Sequence, residues 1–312
     1  MSEIKVRHFF KGEYNIMKKT FAFISAMAMA AALLTGCGSS SPTASTTAAP
    51  AATEAATEAA AEKETEAETT AAAETAAASE VAEIQAKGKL VVGITDFEPM
   101  DYKDADGSWI GFDADMAKAF ADSLGVEAEF VEIDWDNKIL ELDGKTIDCV
   151  WNGMTLTDEV KSAMECSKPY CNNAQVVIVK AADADKYQDK DSLKDLSFAV
   201  EAGSAGEAEV EALGLQYTAV KAQSDALMEV AAGTSDAAVI DSLMAAAMVG
   251  EGTGYSDLTY TVGLNSEEYG VGFRKGSDLA EKLNAFFAES YADGSMMECA
   301  EKYGVQAAVC EQ

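Results

Sequence analysis

Between Gly38 and Glu80 the chain carries no Leu, Ile, Val, Met, Phe, Trp or Tyr. A stretch dominated by Ala, Thr, Ser, Glu and Pro has nothing to bury, so hydrophobic gain cannot offset the entropy lost on ordering. Its Ala/Glu runs can flicker into helix but present no apolar face for packing. Whatever folds must therefore begin at about Val81, where short apolar runs start to alternate with amphipathic segments. As a flexible chain, these 43 residues reach ~35–40 Å, and a tether is the expected role.

The segment before the tether supplies an address. Met17 opens MKKTFAFISAMAMAAALLTGC, in which Lys18 and Lys19 form a positive start and Phe21 to Leu34 a short apolar run. That run is shorter than the ~20 apolar residues a spanning helix needs. It ends in Leu34-Thr35-Gly36-Cys37, which resembles a bacterial lipobox, so Cys37 is the expected lipid-bearing N-terminus. Residues 1–36 are read as an upstream extension plus a lipoprotein signal peptide, and 37–80 as the lipidated, disordered tether. Residues 1–16 do not fit a signal peptide. Lys11-Gly12-Glu13 is what a purine-rich ribosome-binding site would encode in frame, so translation is expected to start at Met17.

Charge and residue usage exclude several functions. The formal net charge is −31 over 312 residues, which disfavours nucleic acid and anionic lipid surfaces, both of which need clustered Lys and Arg. The one histidine, His8, lies in the segment expected to be removed. Histidine-based triads, zinc sites and proton shuttles are then unavailable, and neither a metal nor a cofactor is expected. Beyond Cys37 lie Cys149, Cys166, Cys171, Cys299 and Cys310. Export permits disulfides, so Cys166 with Cys171, or Cys299 with Cys310, can pair if geometry allows. An odd count leaves at least one thiol over, and Cys149 reads as a small buried hydrophobe inside a strand.

From Val81 the periodicity alternates. Strands are expected at Lys89–Thr95, Glu127–Ile133, Asp148–Trp151, Gln175–Lys180, Ser197–Glu201 and Ala237–Asp241. Helices are expected at Asp113–Leu124, where Met116, Phe120 and Leu124 share a face, and at Leu279–Tyr291 and Met296–Tyr303. The alternation predicts an α/β protein with mainly parallel sheets. Asp143–Asn152 and Ala232–Asp241 echo one another: a glycine turn and an aspartate precede a short buried strand that ends in a polar residue. Ligands of open α/β sheets sit beyond the carboxyl ends of strands. Two halves of like topology would therefore present Asn152 and Asp241 to a shared cleft.

The motifs GKLVVGITDFEPMDY, WIGFDADMAKAFADSLG, IDWDNKI, WNGMTLTDE, SKPY, FAVEAGSAG, DAAVIDS and EEYGVGFRKGSDLAEKLN follow in order. From Lys89 to about Tyr303 the chain resembles the family 3 extracellular solute-binding proteins, the polar amino-acid receptors of ATP-binding cassette importers. The resemblance implies a two-lobed, type II periplasmic-binding-protein-like fold with two crossing hinge strands. Lobe 1 is then 81–171 plus 270–312 and lobe 2 is 172–269. It implies a monomer that is held outside the cytoplasm by its lipid. It also implies an amino acid or related amine captured between the lobes and delivered to permease subunits. Phe97 and Trp135 match the aromatic pair that sandwiches the ligand, and Asp96 a contact to its side chain. Asn152, Gly153 and Thr155 match the loop offering backbone groups and a hydroxyl. Ser204 and Gly206 match a helix N-terminus that favours an anion, and Asp241 the acceptor of the α-ammonium group.

One departure bears on the ligand. Where the family has an arginine that forks onto the ligand's carboxylate, this chain has Val160, and an isopropyl group cannot replace a planar bidentate clamp. Lys161 or another cation substitutes, or backbone donors suffice, or the ligand has no ordinary free carboxylate. With Asp96, Glu98, Glu201 and Asp241 in prospect, the expected cleft is acidic and prefers a cationic or amine-rich ligand. Two other functions share the scaffold: an enzyme resembling cyclohexadienyl dehydratase, and a sensory ligand-binding domain. A transport receptor without catalytic residues is the expectation.

Overall fold

The computed structural model describes residues 79–312. The expected signal segment, Cys37, the start at Met17 and residues 37–78 of the tether lie outside the described residues; Ser79 and Glu80, placed in the tether by sequence, are instead the cap and first residue of a helix, because Ser79 accepts the Ala82 amide.

KLVVGI forms β1 (Lys89–Ile94), buried at every position after Lys89, as an apolar run must be when a parallel strand is covered on both faces. It lies between two parallel neighbours, β4 (Glu127–Glu132) and β5 (Cys149–Thr155). On the far side of β5 runs β13 (Glu267–Phe273), antiparallel, which also pairs with the short β6 (Glu165–Cys166) and β7 (Cys171–Asn173). A separate hairpin joins β2 (Tyr102–Lys103) to β3 (Trp109–Ile110). Around this sheet lie α1 (Glu80–Lys87), α2 (Phe112–Leu124), α3 (Lys138–Asp143), α4 (Asp158–Ala163), α8 (Leu279–Asp293) and α9 (Ser295–Tyr303). Helix α2 buries Met116, Phe120 and Leu124, the face its spacing predicts. Below it, Trp151 of β5 meets Phe287 of α8 edge-on at 5.6 Å, an arrangement favoured by the ring quadrupoles.

The second sheet holds β8 (Gln175–Lys180), β9 (Ser197–Glu201), β10 (Gln216–Val220), β11 (Ala237–Asp241) and β12 (Leu258–Gly263), in the order β10-β9-β11-β8-β12. Helices α5 (Ala205–Ala212), α6 (Gln223–Ala232) and α7 (Ser242–Met248) accompany it.

The sheets are mixed rather than mainly parallel, which corrects the sequence expectation. In each, two parallel pairs end against an antiparallel strand, β13 in the first and β8 in the second. The reason is that the chain crosses between lobes, so each sheet must accept one strand from a crossing connection. The chain leaves the first sheet between Asn173 and Gln175 and returns between Gly263 and Glu267. The crossings run side by side: the Leu264 amide donates to the Gln175 carbonyl at 2.8 Å, and the Gln175 amide to Asn265 Oδ1 at 2.7 Å.

The sequence echo has a structural counterpart. β5 and β11 both lie between a parallel strand and the antiparallel one. The aspartate preceding each accepts a backbone N–H from that parallel neighbour: Asp148 from Val91 at 2.8 Å, Asp236 from Ser197 at 2.9 Å. Asn152 and Asp241 thus occupy comparable places toward the ends of comparable strands.

Neither expected disulfide forms, and all five described cysteines are free thiols. Cys166 lies opposite Gly272 and Cys171 opposite Tyr269 on the same flank of β13. Three residues of strand separate such positions by ~10 Å, beyond the ~7 Å Cα limit for a bridge. Cys299 sits in α9 facing the Phe112 carbonyl, whereas the Cys310 backbone pairs with Tyr170.

Candidate functional site

The carboxyl ends of β5, β9 and β11 converge on a cavity of about 300 Å³ between the lobes. From the first lobe Phe97, Trp135, Asn152, Gly153 and Thr155 line it; from the second, Glu201, Ser204 and Asp241. Two expected residues stand outside. Asp96 falls between the buried Thr95 and Phe97, so it faces solvent. Gly206 is buried in α5, where an added Cβ would lie 3.0 Å from Gln175 Oε1 and 3.1 Å from the Val239 carbonyl; its smallness serves helix–sheet packing. A second hollow of about 530 Å³ adjoins the cavity, sharing Thr155, Thr157, Asp158, Ala205 and Ala208 with it.

Several of these side chains are already committed. Asn152 Oδ1 accepts from the Thr95 amide and hydroxyl at 3.0 and 2.7 Å, and its Nδ2 donates to Asp101 at 2.8 Å. The Gly153 N–H donates to Asp113 at 2.7 Å and the Thr155 hydroxyl to Glu267 at 2.9 Å. Both donors that the sequence assigned to a ligand are therefore spent on buried or hinge carboxylates. Gly153 itself has φ +54, and a Cβ there would stand 2.5 Å from the ring of Phe97, so only glycine lets that ring close over the strand. Phe97 meets Tyr269 edge-on at 6.3 Å. At the start of α5, Ser204 caps by accepting the Glu207 amide at 3.1 Å, while Glu207 takes the Gly203 amide at 2.7 Å. The helix's own carboxylate thus occupies part of the expected anion site.

Asp241 is buried at the end of β11 and collects four donors. Its Oδ1 accepts from Asn173, from Gln175 at 2.8 Å and from the Tyr269 hydroxyl at 2.8 Å, and its Oδ2 accepts from Gln223. The amides of Asn173 and Gln175 also donate to Glu267, at 2.7 and 2.8 Å. This network ties both crossing connections together. Burial, followed by repulsion from Glu267, pushes Asp241 up to about 8. Glu201 is 2% exposed; burial first and Asp241 second push it up to about 8 as well. Its Oε1 has no hydrogen-bond partner.

Sequence reasoning missed Lys138 and Gln223. Lys138 is buried, lines the cavity, and places its ammonium 4.9 Å from the Trp135 ring centroid. It donates to the Trp135 carbonyl at 3.3 Å and, across the cleft, to the Gly203 carbonyl at 2.8 Å. Burial lowers its pKa, against the pull of Glu201. A signal existed: three residues after Trp135, Lys138 shares its helical face. Val160, at the arginine position, is 3% exposed in the apolar cluster of Met154 and Met164. The one arginine among the described residues, Arg274, is held by Glu80 at 2.5 Å, Asp148 at 3.4 Å and the carbonyls of Leu142 and Ile147. The cavity lining thus holds four carboxyl groups, those of Asp158, Glu159, Glu201 and Asp241, against a single lysine, Lys138.

The lobes touch around this cavity. An added Cβ on Gly203 would lie 2.6 Å from the Asp136 Cα, and Lys221 reaches Glu132 at 3.7 Å and Asp134 at 3.6 Å across the rim.

Against known proteins, residues 90–306 match the family described as bacterial extracellular solute-binding proteins, family 3. The L-cystine-binding protein TcyJ of Escherichia coli (strain K12) is 30% identical, over 71% of this chain and 84% of its own. The arginine-binding extracellular protein ArtP of Bacillus subtilis (strain 168) is 32% identical, over 70% of this chain and 86% of its own. Among solved structures, the ancestral amino acid-binding protein AncCDT-1, described as a precursor of cyclohexadienyl dehydratase, superposes with a TM-score of 0.67. It is 33% identical, over 72% of this chain and 99% of its own.

Proposed function

The chain belongs to the bacterial extracellular solute-binding proteins of family 3, and on that premise we propose that it captures an amino acid bearing a cationic group and delivers it to the permease of an ATP-binding cassette importer. The observation that carries this reading is the cavity between the lobes, lined from both, where four acidic side chains meet one lysine. A ligand bridging both linings would favour the closed arrangement by its differential contacts, which is how capture becomes a signal to a partner. Phe97 and Trp135 supply the apolar walls, the latter with Lys138 over one face. Relatives named for cystine and arginine keep the ligand within amino acids. The lobes, proposed as 81–171 plus 270–312 and 172–269, would act as monomeric jaws.

The reading includes attachment through Cys37 and a tether over 37–78. Among the described residues no helix is long and apolar enough to cross a membrane. Catalysis is not part of the reading. The likeness to AncCDT-1 keeps an enzyme on this scaffold as the second reading, but the carboxylate-anchoring arginine is replaced by the buried Val160.

The test is a thermal-shift screen of the protein against the amino acids and polyamines. A ligand at 100 times its Kd stabilises by ~2.7 kcal/mol. A rise with arginine, lysine or another cationic amino acid is expected; selective stabilisation by glutamate or aspartate would overturn the charge preference, and a flat panel the amino-acid reading.

A further inference from the structure

We propose that Asp101 and Asp113, buried beneath the cavity wall, share one proton and together act as the positioning residues for Asn152 and Gly153 of β5. The inference rests on the reading above in that a ligand occupies this cavity; the sharing of the proton is testable without one.

Both aspartates are fully buried, Asp101 in the loop after β1 and Asp113 in the first turn of α2. The Asp113 amide donates to the Met100 carbonyl at 3.0 Å, and the two carboxyl groups grip consecutive residues of β5. Asp101 Oδ2 accepts from Asn152 Nδ2 at 2.8 Å. Asp113 Oδ2 accepts from the Gly153 N–H at 2.7 Å and the Tyr170 hydroxyl at 2.6 Å. A trans peptide points its N–H and C=O in opposite directions, so the bond from Gly153 also fixes which way the Asn152 carbonyl faces. The Asp101 backbone ties in a third wall residue: its carbonyl accepts the Phe97 amide at 2.7 Å, and its amide donates back to Phe97 at 2.8 Å. Phe97, Asn152 and Gly153 all line the cavity.

The remaining oxygens, Asp101 Oδ1 and Asp113 Oδ1, are buried without a hydrogen-bond partner, a condition rare in proteins unless something completes it. Two ionised carboxylates do not stand together out of water without a counter-charge. The titratable groups facing the pair are Cys149 from β5, Tyr170 and Cys171 at the start of β7, Cys299 from α9, and Asp115 and Lys118 from α2. Of these only Lys118 is cationic, and its ammonium is held by the Trp109 carbonyl at 2.6 Å and by Asp115 at 3.1 Å. One proton between the two empty oxygens satisfies both. It belongs on Asp101. Asp113 already accepts two donors, and the Trp151 indole favours its charge as well, whereas Asp101 accepts one; hydrogen bonds to the charged form select it. Burial, followed by repulsion from Asp113, holds the Asp101 carboxyl well above the ordinary carboxylate range. The pair is thus a neutral acid donating to a carboxylate, and it anchors the cavity wall without a metal or a lysine.

The experiment measures binding of L-arginine, L-lysine and L-cystine by titration calorimetry, and ligand-free thermal unfolding, for the full chain and for D101A, D101N, D113N and D101N/D113N. In D101N the amide replaces the shared proton: its oxygen keeps Asn152 and its N–H donates to Asp113. In the double variant two N–H groups face one another with no acceptor between them. The expected result is that D101A, folded at the assay temperature, binds at least tenfold more weakly than wild type and that D101N restores binding to within threefold. The double variant should be at least tenfold weaker than the product of the two single losses. D101A within threefold of wild type overturns the positioning role. D101N as weak as D101A, or a double variant equal to the product, overturns the shared proton; if D101A does not fold, D101N and the double variant decide. If none of the three amino acids binds wild type, the proposed function has failed and unfolding decides the sharing. D101N near wild type, with the double variant lowered beyond the sum of the singles, upholds it, and additive lowering overturns it.

Discussion

The ammonium of Lys138 donates to the carbonyl oxygen of Gly203 at 2.8 Å, joining two residues that belong to different lobes. Because Lys138 is 9% exposed, this is a charge-assisted bond shielded from water, unlike the rim pairs of Lys221 with Glu132 and Asp134, whose partners are all substantially exposed. Hydrogen bonds to charged groups contribute ~1.5–3 kcal/mol, whereas exposed ion pairs contribute ~0–1 kcal/mol. The buried contact should therefore dominate closure on this side of the cleft.

Replacing Lys138 by Met keeps the stem and removes the ammonium. The closed arrangement then loses its cross-cleft bond, and the cavity loses its one lining cation. The expected outcome is ligand affinity reduced at least tenfold, with a larger radius of gyration for the ligand-free protein by small-angle scattering. An unchanged radius together with unchanged affinity would show that closure does not depend on this bond.

Gly203 tests the same closure sterically. Its φ is +69, and an added Cβ would sit 2.6 Å from the Asp136 Cα. A left-handed conformation costs a residue with a side chain ~1–2 kcal/mol, and the clash with backbone has no flexible side chain to absorb it. Gly203→Val should prop the cleft open and weaken ligand binding at least tenfold by calorimetry. Unfolding temperature should fall by only a few degrees, because the loop lies outside both sheets.

The thiols give a prediction independent of ligand. With Cys166 and Cys171 set three positions apart along β13, and Cys299 and Cys310 against different neighbours, no pair forms. Alkylation of the purified protein in denaturant without reductant should label Cys149, Cys166, Cys171, Cys299 and Cys310 alike. Prior reduction should add no label at these positions in peptide mass spectrometry.

Much of the fold was legible because local pattern and tertiary role agree. The run Leu90–Ile94 is apolar throughout and central, and the spacing of Met116, Phe120 and Leu124 marks the face α2 buries. The mixed character of the sheets was not, because β13 is antiparallel only by virtue of the return crossing, a long-range fact that no window of Glu267–Phe273 contains. The cleft was legible as a set of positions rather than of interactions. Eight expected residues line it, yet the donors of Gly153 and Thr155 turn inward to Asp113 and Glu267. Those partners stand 40 and 112 residues away in sequence, and only folding reveals them. Lys138 was readable from its spacing to Trp135; Gln223, at the start of α6, offers no comparable signal.

The buried carboxylates set the pH dependence. Glu201 lies at about 8 in the folded protein against an ordinary value of 4.5, with burial first and the Asp241 charge second as causes, opposed by Lys138 and the polar groups of Gln223 and Thr95. Asp241 likewise lies at about 8 and Asp113 at about 7, each against 3.8 and each raised chiefly by burial. A raised folded value means that the native state holds protons the unfolded chain has released. The stability these groups contribute is thus fully present below about pH 4 and is lost as pH rises through about 7 to 8. Unfolding temperature without ligand should fall across that window, and E201Q should flatten part of the fall. A cationic ligand in the cavity favours the ionised forms of its lining carboxyl groups, so binding should release protons and affinity should climb between about pH 6 and 8. Titration calorimetry in buffers of different ionisation enthalpy measures that release directly. A pH-independent affinity with no proton release would show that the ligand's charge does not meet the cavity's buried carboxyl groups.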